Sequence, residues 1–147
     1  MQNSFVIRGN ICQTMIPKEL DLHENAYAVC VGGISKGVFD SLPEEYASLP
    51  LYDYGDSLIF PGMVDESFKP LVFPEAFYLA TKGGGAFFGK VGSFEEGYEF
   101  DAVVLDDSVL VHPQSLNLAE RMERAVYLGL DEKNITAKYV AGEKIST

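Results

Sequence analysis

A mainly β domain carrying two α-helices is the fold class this sequence predicts, and three observations predict it. Short runs rich in β-branched and aromatic residues recur towards both ends of the chain, glycine-rich turns separate them, and only two segments carry helical periodicity. With 147 residues, 47% of them apolar, and a mean hydropathy near zero, the chain has the size of one compact domain. A chain of that length buries a sizeable core without metal or disulfide support.

Taken in order, Phe5, Ile7, Ile11 and Cys12 lie among polar neighbours, and Tyr27, Val29 and Val31 alternate up to Gly32-Gly33. Two glycines between β-rich runs predict a hairpin because each adopts positive φ without a Cβ clash, and Ile34 to Phe39 supplies the returning strand. Pro43 to Leu49 reads as a polar connector with room for one helical turn. Pro50 to Tyr54 and Leu58 to Phe60 read as two brief strands, punctuated by Gly55-Asp56 and Pro61-Gly62. At Pro74 the character changes. Proline suits a first helical turn, Glu75 complements the positive end of the dipole, and Phe77, Ala80, Gly84 and Phe88 then share one face of a helix from Pro74 to Phe88. Phe100 to Leu105 is a buried-type strand. Asn117 with Glu120 three residues on forms a capping box ahead of Leu118, Met122, Ala125 and Val126, and Gly129 is placed to stop that helix. Ile135 to Ala141 and Lys144-Ile145, separated by Gly142-Glu143, make a last short hairpin, for a sum of roughly seven to nine strands.

Charge narrows the function classes. Against 22 Asp and Glu stand 11 Lys and Arg, a net charge of −11. Nucleic-acid affinity depends on neutralising phosphates, so this field argues against nucleic acid and, by the same reasoning, against an anionic membrane surface. No apolar run approaches the ~20 residues of a membrane-spanning helix. The first residues lack a basic region followed by an apolar block, which leaves the cytoplasm as the expected address. Cys12 and Cys30, without a CxxC pair, read as buried small side chains in a reducing compartment.

Candidate chemistry is sparse. The two histidines, His23 and His112, are 89 positions apart. His23-Glu24 opens an HExxH pattern that Tyr27 breaks, so each histidine is expected to be a solvated or hydrogen-bonded surface side chain and not a metal ligand. Lys82-Gly83-Gly84-Gly85 invites a phosphate-loop reading, but the glycines do not follow a strand and the lysine precedes them, so close helix packing and a frayed exit are expected. The acid pairs Asp106-Asp107 and Glu95-Glu96 are expected on a solvated acidic face. No nucleophilic triad is expected around either histidine.

Two blocks carry a resemblance. Gly9-Asn10-Ile11, Gly37-Val38-Phe39, Leu51-Tyr52-Asp53-Tyr54-Gly55-Asp56 and Phe60-Pro61-Gly62-Met63-Val64-Asp65 form the first. Glu75 to Gly85, followed by Gly92-Ser93-Phe94-Glu95-Glu96-Gly97-Tyr98-Glu99-Phe100-Asp101-Ala102-Val103-Val104, forms the second. The blocks resemble the opening and the end of guanine deaminases of the amidohydrolase superfamily. The latter half of the second block is similar to the superfamily pattern G-x-x-x-x-G-x-x-A-D-x-x-V, with the Asp-Ala order swapped.

The resemblance implies a composite β-sandwich built from both chain ends, with two α-helices and no TIM barrel. Residues 1–65 would supply N-terminal strands, Glu66 to Phe73 a junction replacing the barrel, and 74–147 the last barrel-type helix and the C-terminal strands, all in one domain spanning 1–147. In that family the turn matching Pro61 to Asp65 runs into an HxH pair that begins a zinc site, whereas Glu66-Ser67-Phe68-Lys69 follows here. The resemblance therefore assigns no catalytic, cofactor-binding or metal-ligating residue to this chain. It implies a structural module, inactive alone, of an enzyme that hydrolyses guanine with a zinc-activated water. A free-standing interaction or small-ligand-binding protein, reusing the surface that faced the barrel, is the other reading. Loss of the barrel would uncover Phe77, Phe87 or Phe88, so self-association through the surface around Phe77 and Phe88 is expected.

Overall fold

The computed structural model describes residues 3–62, 72–128 and 131–145. Met63 to Asp65, the expected junction up to Leu71, and Gly129 lie outside these described residues.

The expected β-rich class with two helices is what the chain forms. Strands β1 (Phe5–Ile16), β2 (Glu19–Val31), β3 (Ile34–Phe39) and β4 (Leu51–Pro61) come before helix α1 (Phe73–Tyr78). Strand β5 (Ala102–Leu105), helix α2 (Leu118–Tyr127) and strands β6 (Ile135–Val140) and β7 (Glu143–Ile145) come after it. All seven strands join one sheet in the order β3-β2-β1-β4-β5-β6-β7. Only β1 and β4 run parallel; the other neighbours are antiparallel. The two chain ends meet at β4 and β5, where Leu58 faces Leu105 and Phe60 faces Val103.

Turn chemistry sets the hairpins. Gly32 and Gly33 take φ of 60° and 83° between the paired residues Val31 and Ile34, the primed turn that the double glycine predicts. One difference from the sequence reading lies in β4. The two brief strands expected around Gly55-Asp56 are one strand, with a bulge where β1 advances from Arg8 to Asn10 while β4 advances from Asp53 to Leu58. Gly55, at φ 57°, makes that bulge possible. Buried Asn10 fixes it, because its Nδ2 donates to Asp56 O (3.0 Å) and Asp56 Oδ1 (2.9 Å) and its Oδ1 accepts from Asn25 N (3.1 Å).

The sheet curls on itself. The β2–β3 turn and the β6–β7 turn lie on opposite sides of the sheet order, yet a Cβ added at Gly142 would come within 2.7 Å of Gly33 Cα. Phe100 stitches the two, its N–H donating to Gly33 O (2.8 Å) and its carbonyl accepting from Gly142 N (2.9 Å). One core fills the sheet's enclosed face with Phe5, Ile7, Ile11, Ala28, Ile59, Val104 and Tyr139, joined by Phe94 and Phe100 from the loop before β5. A second core lies under the helices, where Leu58, Phe60 and Leu105 meet Phe73 and Phe77 of α1 and Leu118, Met122 and Ala125 of α2. The α2 residues recur at helical spacing, and the capping box forms as expected: Glu120 N donates to Asn117 Oδ1 (2.9 Å) and Asn117 N to Glu120 Oε2 (2.8 Å).

The first helix departs from its expected length. It starts one residue early, at Phe73, and widens over Leu79–Gly83 into a π turn, with Gly85 then accepting from Phe88 N to close the exit. The wider turn and early exit rotate Phe88 off the buried face. Phe77 is 1% exposed, whereas Phe87 and Phe88 are 88% and 74% exposed. Phe77 thus belongs to the chain's own core, which corrects its placement on an uncovered surface.

Because Gly142 holds φ 75° against Gly33 and Cys30, Gly142→Ala is expected to lower stability by about 1–3 kcal/mol through backbone strain and steric conflict. Denaturant unfolding of the variant against the parent measures it.

Candidate functional site

Three polar constellations stand out, and each joins side chains from more than one element of the fold. The first is a buried clasp linking the end of β1, the π turn and the loop before β5. Gln13, 3% exposed, accepts from Phe94 N (2.9 Å) through Oε1 and donates to Asp21 Oδ2 (2.8 Å) through Nε2. Ser93 Oγ donates to Glu95 Oε2 (2.9 Å), and Glu95 pairs with Lys82, whose Nζ also donates to Met15 O (3.1 Å). Thr81 Oγ1 donates to Phe77 O (2.7 Å), closing the π turn internally. The glycine-rich segment is a packing device, as expected. A Cβ at Gly85 would lie 2.6 Å from Val91 O, and Gly92, at φ 77°, presses against Thr81 O. Lys82 is held by Glu95 and is not presented to a phosphate.

A second constellation surrounds Arg121 of α2. Its Nε and Nη2 donate to the two oxygens of Asp107 (2.9 and 2.8 Å), and Nη1 reaches Asp56 Oδ1 (3.0 Å). Hydrogen bonding to Asp107 raises the Arg121 pKa further despite partial burial. Asp107 and Glu95 are thereby corrected from the solvated acidic face expected of them, since each balances a cation; Asp106 and Glu96 are exposed. Arg121 lies 14 and 65 positions from its two partners, so no local pattern announces the cluster.

His23 forms the third. Its Nδ1 lies 2.8 Å from Asp40 Oδ1 and its Nε2 3.1 Å from Asp21 Oδ1. A carboxylate at each ring nitrogen suits the imidazolium, in which both nitrogens donate. Burial pulls the pKa down, but hydrogen bonding to Asp40 and the charges of Asp21 and Asp40 outweigh it and raise the value above the ordinary one. His112 Nδ1 is engaged by the backbone of Gln114. The fold does not bring the two histidines into one ligand set, and among the described residues no three His, Cys, Asp or Glu side chains are grouped to hold a metal. Cys12 and Cys30 are free and buried, as expected, and burial pushes their thiols up to about 12 and about 11.

Two outcomes are expected of these groups. Gln13→Ala leaves the buried Phe94 N–H without its acceptor and is expected to cost about 1–3 kcal/mol in denaturant unfolding. For His23, a folded-state pKa raised above the unfolded one means that its contribution is complete below the unfolded value and disappears as pH rises through the folded value. The stability difference between parent and His23→Gln is therefore expected to be largest in mild acid and to vanish in alkaline solution, as melting temperatures across pH would report.

No family model matches the chain. It is 37% identical over 83 residues to the guanine deaminase of Dictyostelium discoideum, a match covering 52% of this chain and 18% of that protein. It is 34% identical over 88 residues to the Homo sapiens guanine deaminase, covering 52% of this chain and 19% of that protein. The chain thus spans less than a fifth of either curated relative in these matches. Its fold is shared with a crystal structure of guanine deaminase from C. acetobutylicum with bound guanine in the active site, at a TM-score of 0.88 and 15% identity over 98% of this chain and 100% of that one. The chain is thus similar to guanine deaminases in sequence over half of its length, and to a guanine deaminase structure in fold over nearly all of it.

Proposed function

We propose that the chain is the composite β-domain of a guanine-deaminase-like amidohydrolase, a structural module without catalysis of its own. The observation that carries this reading is the pairing of β4 with β5. Pro61 and Ala102 are direct neighbours across the sheet, so the strands leaving and re-entering the domain do so side by side. A domain inserted between them would need only adjacent ends, which suits relatives several times the length of this chain. The module's own chemistry supports the reading too. Zinc sites take three or four N, S or O ligands at ~2.0–2.2 Å, and the donors among the described residues do not fit one. Both nitrogens of His23 face carboxylates, and both thiols are buried in core.

The surface for self-association in this reading is carried by Phe87 and Phe88, beside the exposed Ala86 and Gly89. Purified chain is expected to hold substoichiometric zinc and to release neither xanthine nor ammonia from guanine. One tightly held zinc per chain with turnover of guanine would overturn the proposal. In sedimentation, Phe87→Ser with Phe88→Ser is expected to lower the associated fraction while leaving the β-sheet circular dichroism intact.

A further inference from the structure

Along α2 the loop 106–116 leaves two clefts, of about 300 Å³ and 470 Å³, that share His112, Gln114, Leu116 and Arg124 and so form one groove. The charges in it are unequally committed. Arg121 is saturated by Asp107 and Asp56, and these two acids are in turn taken up by it. Arg124 is different. Among the described residues it has no carboxylate partner, its buried Nε has no acceptor, and its Nη2 only reaches Leu110 O at 3.5 Å. In a chain with twice as many acids as bases, a half-buried guanidinium without a carboxylate is an unmet demand for an anion. His112 lies in both clefts, and with Nδ1 engaged by Gln114 it keeps Nε2 for a second contact.

The rest of the groove defines the ligand's other end. Tyr127 and Leu128, 61% and 60% exposed, wall the larger cleft with Leu116. Glu120 and Glu123 share that cleft; the Glu120 carboxylate accepts from Asn117 N in the helix cap, while Glu123 is exposed. The exposed acid and the net charge of −11 penalise a doubly charged ligand more than a singly charged one. We propose that this groove binds a small carboxylic acid with an apolar tail, its carboxylate on Arg124 and its tail against Tyr127 and Leu128. The site is independent of the structural reading above.

The probes are hexanoate, acetate, hexanol and inorganic phosphate, titrated into the full chain and followed by amide shifts in ¹H–¹⁵N spectra. Hexanoate is expected to saturate, with shifts confined to α2 and residues 106–116. Acetate, which lacks the tail, and hexanol, which lacks the charge, are each expected to bind at least about tenfold more weakly. Arg124→Met keeps the aliphatic stem and is expected to abolish the preference for hexanoate over hexanol. Phosphate binding as tightly as hexanoate, equal binding of hexanoate and hexanol, or an unchanged preference in the variant would each overturn the proposal. The comparison of the four probes on the parent chain decides the matter even if the variant fails to fold.

Discussion

Every C-terminal strand reaches the rest of the sheet through β5, and β5 reaches it through four residue pairs with β4. The pairing joins strands with 40 residues between Pro61 and Ala102, so its formation carries a loop-closure cost before any neighbouring contact rewards it. Both cores depend on it. Leu58 and Phe60 alternate with Ile59 along β4, sending the former under the helices and the latter into the enclosed face. A slip of one residue at this pairing would exchange the two sets and empty both cores at once. The register is held from outside the strand as well, because Asp56 in the bulge is gripped by Asn10 of β1 and Arg121 of α2.

That grip shows how polar residues organise a mainly apolar fold. Asn10, Gln13, Thr14, Ser35, Thr81 and Ser93 are all buried, and they lie where strands stop pairing regularly: at the β1 irregularities, at the start of β3 and around the π turn. A backbone that leaves its ladder must find other partners for its N–H and C=O groups. Gln13 supplies one for Phe94 N, and Ser35 Oγ donates to Phe94 O (2.7 Å), so a loop residue that belongs to no strand is held between β1 and β3 as firmly as one inside the sheet. The same logic explains why Phe94 can be fully buried despite its place in irregular chain.

Local chemistry was legible in the sequence wherever one or two neighbouring residues decide the outcome. Gly32-Gly33 marks its hairpin, Asn117 and Glu120 mark the helix cap, and Pro74 marks a helix start within one residue. What the sequence did not disclose depends on partners far along the chain. Asp107 looks solvated beside Asp106 until α2 brings Arg121 to it, and Glu95 does until the π turn brings Lys82. The continuity of β4 through Gly55 needs Asn10 to hold the bulge, and the exposure of Phe88 needs a turn wider than 3.6 residues, which periodicity alone does not register. The family resemblance placed the two chain ends together, and the β4–β5 pairing agrees with it.

Asn3 and Lys144 border the same cleft, and Asn3 O accepts from the N–H of Gly33 in the β2–β3 turn that β6–β7 touches. The beginning and the end of the described chain are therefore neighbours in space. A polypeptide arranged this way has no privileged starting point. A short glycine-rich bridge between the two ends, with the chain opened at the exposed turn Ala86–Gly89, would preserve every strand pairing of the sheet while reordering the sequence. Circular permutation of that kind would bring the β4–β5 partners no closer in sequence but would shorten the span between β1 and β7 to a linker. In contact-order terms the β4–β5 pairing would then span most of the chain, with Pro61 and Ala102 more than 100 positions apart, and the permutant would fold more slowly.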